Sequence, residues 1–335
     1  MNDISVKIGL WYDKNQRDLP WRHTQDAYRI WLSEIILQQT RVVQGMEYYL
    51  RFIERYPTVA DLAKAEEDEV LKMWQGLGYY SRARNLHKAA KQVTGNFPTN
   101  YDELIKLKGV GPYTAAAIAS FSSDECVAVV DGNVYRVLSR LFDIETPIDS
   151  TKGQKEFLAL ATELLPTKGA GRHNQAMMEL GALCCTPASP QCTDCPVADH
   201  CMALANNTIE QRPVKAGKVK VRERYLQYII YIYKDNIWVH QRGEGDIWQG
   251  LWEFVLKERE TRTEGASFSM KHQLTHQTLY ADFVVEQIKD EREAAKLNDE
   301  LQPMGYRRIS WIEWQTLAVP RLIDEANRRI TEAWL

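Results

Sequence analysis

Cys185, Cys192, Cys195 and Cys201 stand as C-x6-C-x2-C-x5-C, four sulfur donors in one short stretch. Four thiolates so spaced form a metal-ligand set, suited to an iron–sulfur cluster or to zinc. Upstream, Leu107-Lys108-Gly109-Val110-Gly111-Pro112-Tyr113 can turn tightly at its two glycines and bring backbone N–H groups to an anion, with a helix N-terminus just behind. A phosphate is the natural guest, although a plain helix–helix turn uses the same residues. Asp131 precedes Gly132-Asn133-Val134 and a helical run through Val137, Leu138 and Leu141. It suits a helix N-cap, and equally a carboxylate beside a cationic transition state; the two roles are compatible. Glu34 lies among Trp31, Ile35, Ile36 and Leu37, just before Gln38-Gln39-Thr40. Burial in that company would raise its pKa and make it a general acid; a solvated helix face is the plain alternative. Cysteine loop, glycine hairpin and carboxylate together suggest an enzyme that works on bases in DNA.

These groups need a helical frame, and the first 205 or so residues supply one. Tyr28, Trp31, Leu32 and Ile35 recur at i, i+3, i+4 and i+7, the stripe of a half-buried helix. Leu62, Val70, Leu71 and Trp74 predict another helix, ending at Gly76-Leu77-Gly78. A further helix opens after Gly111-Pro112, where proline suits the first turn, and runs through the small residues 115–119, whose size lets another backbone come close. Residues 206–224 are polar and basic with Pro213 and Gly217, and read as a linker. Beyond it the pattern changes. Residues 225–233 form a β-rich apolar run, Lys234-Asp235-Asn236 a turn, and 237–241 the returning strand. Residues 280–287 predict another strand and 322–334 a closing amphipathic helix.

At 335 residues two domains are the natural expectation. An apolar fraction of 44% with 10% aromatics supports real cores. Neither the net charge of −3 nor the pI near 6.2 announces a nucleic-acid binder, but the field of one face is hidden in a total. No run is apolar enough to span a bilayer, and no basic segment leads into an apolar one at the start. A reducing, cytoplasmic and nucleoid-associated setting is therefore expected, with no membrane partner. Cys126 and Cys184 fall outside the ligand spacing and are expected to be buried, unreactive thiols.

Trp31-Leu32-Ser33-Glu34-Ile35-Ile36-Leu37-Gln38-Gln39-Thr40, Gly76-Leu77-Gly78-Tyr79-Tyr80, the hairpin from Gly109 to Thr114, the stretch from Val130 to Val134 and the cysteine spacing occur in that order. In this the chain resembles the adenine DNA glycosylases of the MutY type, within the helix–hairpin–helix glycosylase superfamily. The likeness covers nearly all of the helical part and thins beyond it. It implies an α+β multidomain fold: an all-helical helix–hairpin–helix glycosylase domain with an iron–sulfur cluster loop over residues 1–206, a linker over 207–223, and a small Nudix-like α/β domain over 224–335 that reads 8-oxoguanine. No glutamate-rich RExxEE helix is present, so that second domain should bind and not hydrolyse.

The resemblance implies a monomer that excises adenine mispaired with 8-oxoguanine, or with guanine, in double-stranded DNA, and one [4Fe-4S] cluster per chain on Cys185, Cys192, Cys195 and Cys201. Relatives suggest a monovalent cation at the hairpin of Gly109 and Gly111. Glu34 would protonate the leaving base at N7 and assist the attacking water. Asp131 would stabilise the oxocarbenium-like sugar, directly or through a transient covalent adduct, with Tyr113 and Asn133 in support. Arg17, Trp21, Arg22, Leu37 and Glu179 match adenine-pocket positions. Gln39 and Tyr79 match duplex wedges, Thr40 and the Leu77 backbone match contacts to the damaged base, and Leu274-Thr275-His276 stands where a Phe-Ser-His reading loop is common. Thr275 would be the reader, while His276 could equally cap a turn. Where bifunctional relatives such as endonuclease III carry lysine, this chain has Tyr113, which cannot form a Schiff base; a glycosylase/lyase and a non-catalytic iron–sulfur DNA-binding or redox-sensing protein are the competing readings. Such a loop usually offers basic residues to DNA phosphates, and here residues 186–200 hold neither lysine nor arginine, a departure that leaves the contact of this loop with DNA open.

Overall fold

A computed structural model describes residues 2–217, 221–261 and 265–334. Contacts divide it into two units, and the division does not follow chain order: residues 1–63 and 88–217 form the first, 64–87 and 218–335 the second.

The first unit is helical. Helix Ala27–Leu37 is capped by Asp26, which accepts from the Tyr28 N–H, and nine of its eleven residues are buried, Glu34 among them. Helix Pro112–Ser123 starts at proline behind the Gly111 N-cap, while Gly109 takes φ +77°, a left-handed turn that glycine adopts without strain. The small residues Ala115, Ala117 and Ala119 are fully buried, and this helix packs against both Ala27–Leu37 and Ala170–Leu183. At the second crossing a Cβ on Gly171 would stand 2.2 Å from the Ser120 carbonyl oxygen. Gly171→Ala should therefore force these backbones apart and cost about 1–3 kcal/mol of stability, as read by chemical denaturation. A second apolar cluster, around Ile8, Leu138, Phe157 and Leu180, joins helices Asn2–Asn15, Gly132–Leu141, Thr151–Leu164 and Ala170–Leu183.

In the second unit a six-stranded sheet is built from β1 (Arg222–Tyr233), β2 (Asn236–Gln241), β3 (Trp252–Arg259), β4 (Phe268–Gln273), β5 (Gln277–Gln287) and β6 (Arg307–Ser310), in the order β4-β5-β1-β3-β2-β6. Only the β1–β5 pair is parallel. Alternation along β1 divides its side chains between two faces. Leu226, Tyr228, Ile230 and Ile232 meet helix Arg321–Trp334 through Leu322, Ile323, Ala326 and Ile330. Ile229 and Tyr233 meet helix Glu291–Leu301 through Ala294 and Leu301. A mixed sheet between helices results.

Two expectations are corrected, for the stripe through Leu62 and for Cys126, while the strand pair and the linker are described in more detail. The stripe through Leu62 and Trp74 is two helices, Val59–Lys64 and Glu67–Trp74, because the chain breaks at Ala65-Glu66 where it passes from the first unit to the second. β1 and β2 are joined by a tight turn but pair only through Ile232↔Ile237 and Tyr233↔Asn236, because β3 lies between them for the rest of their length. Within the expected linker, residues 207–217 belong to the first unit, held by Arg212 Nη2 on Glu145 Oε1 at 3.0 Å and by the Ile148 N–H on the Val214 carbonyl at 3.0 Å; residues 218–220 lie outside the described residues. Cys126 is exposed, with its thiol 3.8 Å from the Pro166 carbonyl, whereas Cys184 is buried.

The helical pair 64–87 is anchored inside the second unit. Lys72 Nζ donates to the carbonyls of Gln315 at 2.7 Å and Leu317 at 2.9 Å. Gln75 Nε2 donates to Asp324 at 3.0 Å, the Tyr80 hydroxyl to the Val319 carbonyl at 3.2 Å and Arg84 Nη1 to the Gln249 carbonyl at 2.5 Å.

Candidate active site

A cavity of about 810 Å³ opens in the first unit. Its walls hold Glu34, Tyr113, Asp131 and Asn133, together with Arg17, Trp21, Arg22, Leu37 and Glu179, and with Gln39 and Thr40. The residues singled out in the sequence for catalysis and for the adenine pocket thus share one chamber.

Glu34 sits among the buried residues of helix Ala27–Leu37, so its charge is desolvated. Burial pushes its carboxyl up to about 7; the Tyr113 hydroxyl, donating to Oε2 at 2.7 Å, opposes that rise, and the negative charge of Asp131 adds to it. Tyr113 is itself pushed well above the ordinary phenol range by burial and by these carboxylates. Asp131 caps helix Gly132–Leu141: Oδ1 accepts from the Val134 N–H at 2.8 Å and Oδ2 from Asn133 Nδ2 at 2.8 Å. Burial raises its carboxyl too, but those hydrogen bonds and the Arg136 charge pull the other way. Of two neighbouring carboxyls, the one with fewer donors keeps the shared proton. Glu34, with the Tyr113 hydroxyl as its donor, resists ionisation, whereas the donors on Asp131 draw that carboxyl back toward the charged form.

Glu179 is nearly inaccessible and takes five donors: the Arg17 N–H at 2.8 Å, Nε at 2.9 Å and Nη2 at 2.6 Å, and Arg22 Nη1 at 2.9 Å and Nη2 at 2.8 Å. Burial pushes this carboxyl up, yet the two guanidiniums overcome it and hold it at about 2. Because its folded-state pKa lies below the ordinary 4.5, the stabilisation is complete at neutral pH and is lost as pH falls toward 2. Glu179→Gln should cost roughly 2–4 kcal/mol at pH 7, allowing for the partial exposure of Arg17. Its melting temperature should converge on that of the parent in acid.

Sequence reasoning did not single out Arg136. Its Nη2 donates to Asn133 Oδ1 at 2.8 Å and the Gly181 carbonyl at 2.7 Å, and its Nε to the Cys185 carbonyl at 2.7 Å. A guanidinium one turn into a helix capped by a functional aspartate was the available signal. Asn133 is further wedged by Gly181, where a Cβ would come within 2.6 Å of the Asn133 Cβ. One turn on, buried Arg140 donates to Cys185 Sγ at 3.4 Å and to the carbonyls of Thr186 at 2.7 Å and Pro187 at 3.0 Å. One helix therefore presents Asp131 at its start and holds the cysteine loop from its flank.

The four cysteines of that loop form no disulfides. Burial raises Cys192 and Cys201, and the neighbouring sulfurs, Cys185 and Cys195 for both and Cys192 for Cys201, raise them further. Arg140 lies against this loop and its charge opposes the rise at Cys192. Cys184 hydrogen-bonds Cys195, which lowers Cys195 to about 7 and raises Cys184. Among the described residues no three His, Cys, Asp or Glu side chains are grouped to hold a single metal ion. Four sulfur donors in one loop are a ligand set for a thiolate-bound metal centre, iron–sulfur or zinc.

Gly109 and Gly111 form the hairpin before helix Pro112–Ser123. Leu77, Tyr79, Thr275 and His276 lie in the second unit. Tyr79 is half exposed and adopts φ +45°, as Gln39 adopts +55°, a left-handed backbone uncommon outside glycine and a marker of sites under functional constraint. It is no core aromatic. Its hydroxyl lies 2.5 Å from Thr275 Oγ1, on the exposed turn between β4 and β5. Arg82 supports the approach by donating to the carbonyls of Leu77 and Gly78, both at 3.3 Å. The His276 carbonyl accepts from the Arg222 N–H at 3.0 Å.

A helical bundle with a glycine hairpin behind a buried acid defines the helix–hairpin–helix base-excision class. Residues 32–165 match the family described as HhH-GPD superfamily base excision DNA repair protein, and residues 227–329 match the NUDIX domain. The chain belongs to the adenine DNA glycosylase family: it is 36% identical over 265 residues to the adenine DNA glycosylase of Buchnera aphidicola subsp. Schizaphis graminum, covering 78% of this chain and 76% of that one. With the Arabidopsis thaliana adenine DNA glycosylase it shares 40% identity over 295 residues, covering 74% of this chain but 47% of that relative, so it spans about half of that protein's length. Among solved structures, a thermostable thymine-DNA glycosylase matches with TM-score 0.56 and 29% identity over 60% of this chain and 95% of its own. An endonuclease III–DNA complex shares the fold with TM-score 0.53 and 22% identity over 61% and 94%.

Proposed function

We propose that the protein hydrolyses the N-glycosidic bond of adenine mispaired with 8-oxoguanine, or with guanine, and leaves an abasic site in double-stranded DNA. The observation that carries this is the pairing, in one cavity, of a buried carboxyl at about 7 with a capped carboxylate. An extruded adenine entering that cavity costs roughly a few kcal/mol of unstacking. Protonated Glu34 gives its proton to N7, the C1′–N9 bond breaks with its electron pair going to the base, and Asp131 steadies the positive sugar. Glu34, now ionised, accepts a proton from the water that closes on C1′. Tyr113 offers a phenol and no amine, so the sugar is not captured as a Schiff base and the strand stays whole.

Tyr79 and Gln39 would wedge the duplex, and Tyr79 with Thr275 would read the partner base. Cys185, Cys192, Cys195 and Cys201 would hold a four-iron, four-sulfur cluster, which when bound supplies four iron–sulfur bonds that cross-link the loop. Arg140 and Arg136 do the chain's own share by tying that loop to the helix behind Asp131. Such an enzyme would act as a monomer on the chromosome, in the nucleoid.

Duplexes with adenine opposite 8-oxoguanine test the reading. Strand breaks that appear only after hot alkali are expected. Breaks without alkali would replace hydrolysis with lyase chemistry, and binding without any break would leave a non-catalytic DNA-binding protein.

A further inference from the structure

Two hollows meet inside the first unit. Beside the catalytic cavity lies another of about 610 Å³, with Gln16, Gln25, Ser123, Asp124 and Arg172 among its walls. Phe121 and Gln175 line both. These two half-buried residues are shared by the two hollows, beside the close crossing of helices Pro112–Ser123 and Ala170–Leu183, and a small molecule passing from one hollow to the other would have to displace their side chains. The partition is tied to the base-binding side: the Tyr12 hydroxyl donates to Gln175 Oε1 at 2.7 Å, and the Arg22 guanidinium lies 5.5 Å from the centre of the Tyr12 ring.

We propose that the second cavity is the exit for the excised base. Adenine freed beside Glu34 leaves past Phe121 and Gln175 while the abasic strand still covers the mouth through which the nucleotide entered. The proposal rests on the glycosylase reading given above. The chemistry of the partition suits a purine: a phenyl ring offers a face to its π-system, and Gln175, with Oε1 taken by Tyr12, keeps an amide N–H for a ring nitrogen. The chamber beyond is within the size range of about 300–1,000 Å³ usual for small-molecule sites, and its polar walls suit a base that must be rehydrated on leaving. No covalent step is involved; product separates from product.

The experiment uses the full chain saturated with a duplex that carries a tetrahydrofuran abasic analogue opposite 8-oxoguanine, and follows uptake and release of tritiated adenine. Gln16→Trp and Gln25→Trp place bulk at exposed positions that line the second cavity and not the first. Each should slow adenine exchange in the complex by about tenfold or more, equivalent to ~1.4 kcal/mol of barrier, and leave exchange unchanged in the DNA-free protein, where the front mouth is open. Abasic-site formation in a single turnover should also be unchanged. Exchange in the complex that is indifferent to both substitutions overturns the proposal, as does a complex that takes up no adenine at all. A protein that makes no abasic sites sinks the glycosylase reading instead, and the exchange rates still decide whether the second cavity passes a purine.

Discussion

Glu34→Gln should remove adenine excision while leaving the fold intact, and under alkaline conditions it should make the protein more stable. The amide has the shape of the protonated carboxyl and can still accept from the Tyr113 hydroxyl, but it has no proton to give. Loss of a positioned general acid is worth about 10²–10⁴ in rate, so alkali-revealed cleavage in a single turnover should fall by at least that much with duplex binding retained. The stability arm follows from linkage. A carboxyl lifted from 4.5 to about 7 on folding resists ionisation in the native state, so the parent loses stability as pH rises from about 4.5 to 7 and no further above it. The glutamine variant has no such loss. Its advantage should be absent near pH 4 and approach about 3 kcal/mol above pH 8. Melting curves at both ends measure it. In the parent, the excision rate should decline as pH rises through about 7; a rate flat across that range, or an active glutamine variant, removes Glu34 from the acid's role.

Asp131 offers a second experiment in which two roles of one side chain come apart. Its carboxylate caps a helix and, in the proposed reaction, faces the sugar. Asparagine is as good an N-cap as aspartate, so Asp131→Asn should keep the cap to the Val134 N–H and shift stability by less than about 0.5 kcal/mol. Removing the negative charge should cost about 10²–10³ in the single-turnover rate, as loss of one well-placed charge-stabilising group does elsewhere. Asp131→Ala loses the cap as well, and about 1 kcal/mol of stability with it. If the asparagine variant unfolds while excision per folded molecule is undiminished, the carboxylate is structural alone.

Much of this site could be read along the chain because local rules decide it. A helix with apolar side chains around Glu34 had to be buried on most sides, and aspartate before Gly-Asn-Val had to cap whatever helix followed. The long-range partners could not be read that way. Five donors on Glu179 come from residues more than 150 positions away, and spacing says nothing about them. β4 went unseen because only Phe268 and Met270 mark its inner face in a segment otherwise polar. Helix Glu291–Leu301 was hidden by the same economy, with Ala294 and Leu301 as its buried residues. The break at Ala65-Glu66 carries no proline or glycine; it exists because the chain leaves one core for another, a fact that belongs to tertiary packing.

The anchoring of residues 64–87 on the loops and closing helices of the second unit bears on how this protein could be cut or recombined. Severing the chain after Gly217 would not part the molecule at a natural seam, since the amino-terminal fragment would carry away Lys72, Gln75, Tyr80 and Arg84 and abandon the carbonyls and the carboxylate they serve. A hybrid that borrows its last third from a cousin would meet the same misfit unless the short helical insert travelled with it. The second unit is built from two stretches of sequence, and it must be transplanted as two.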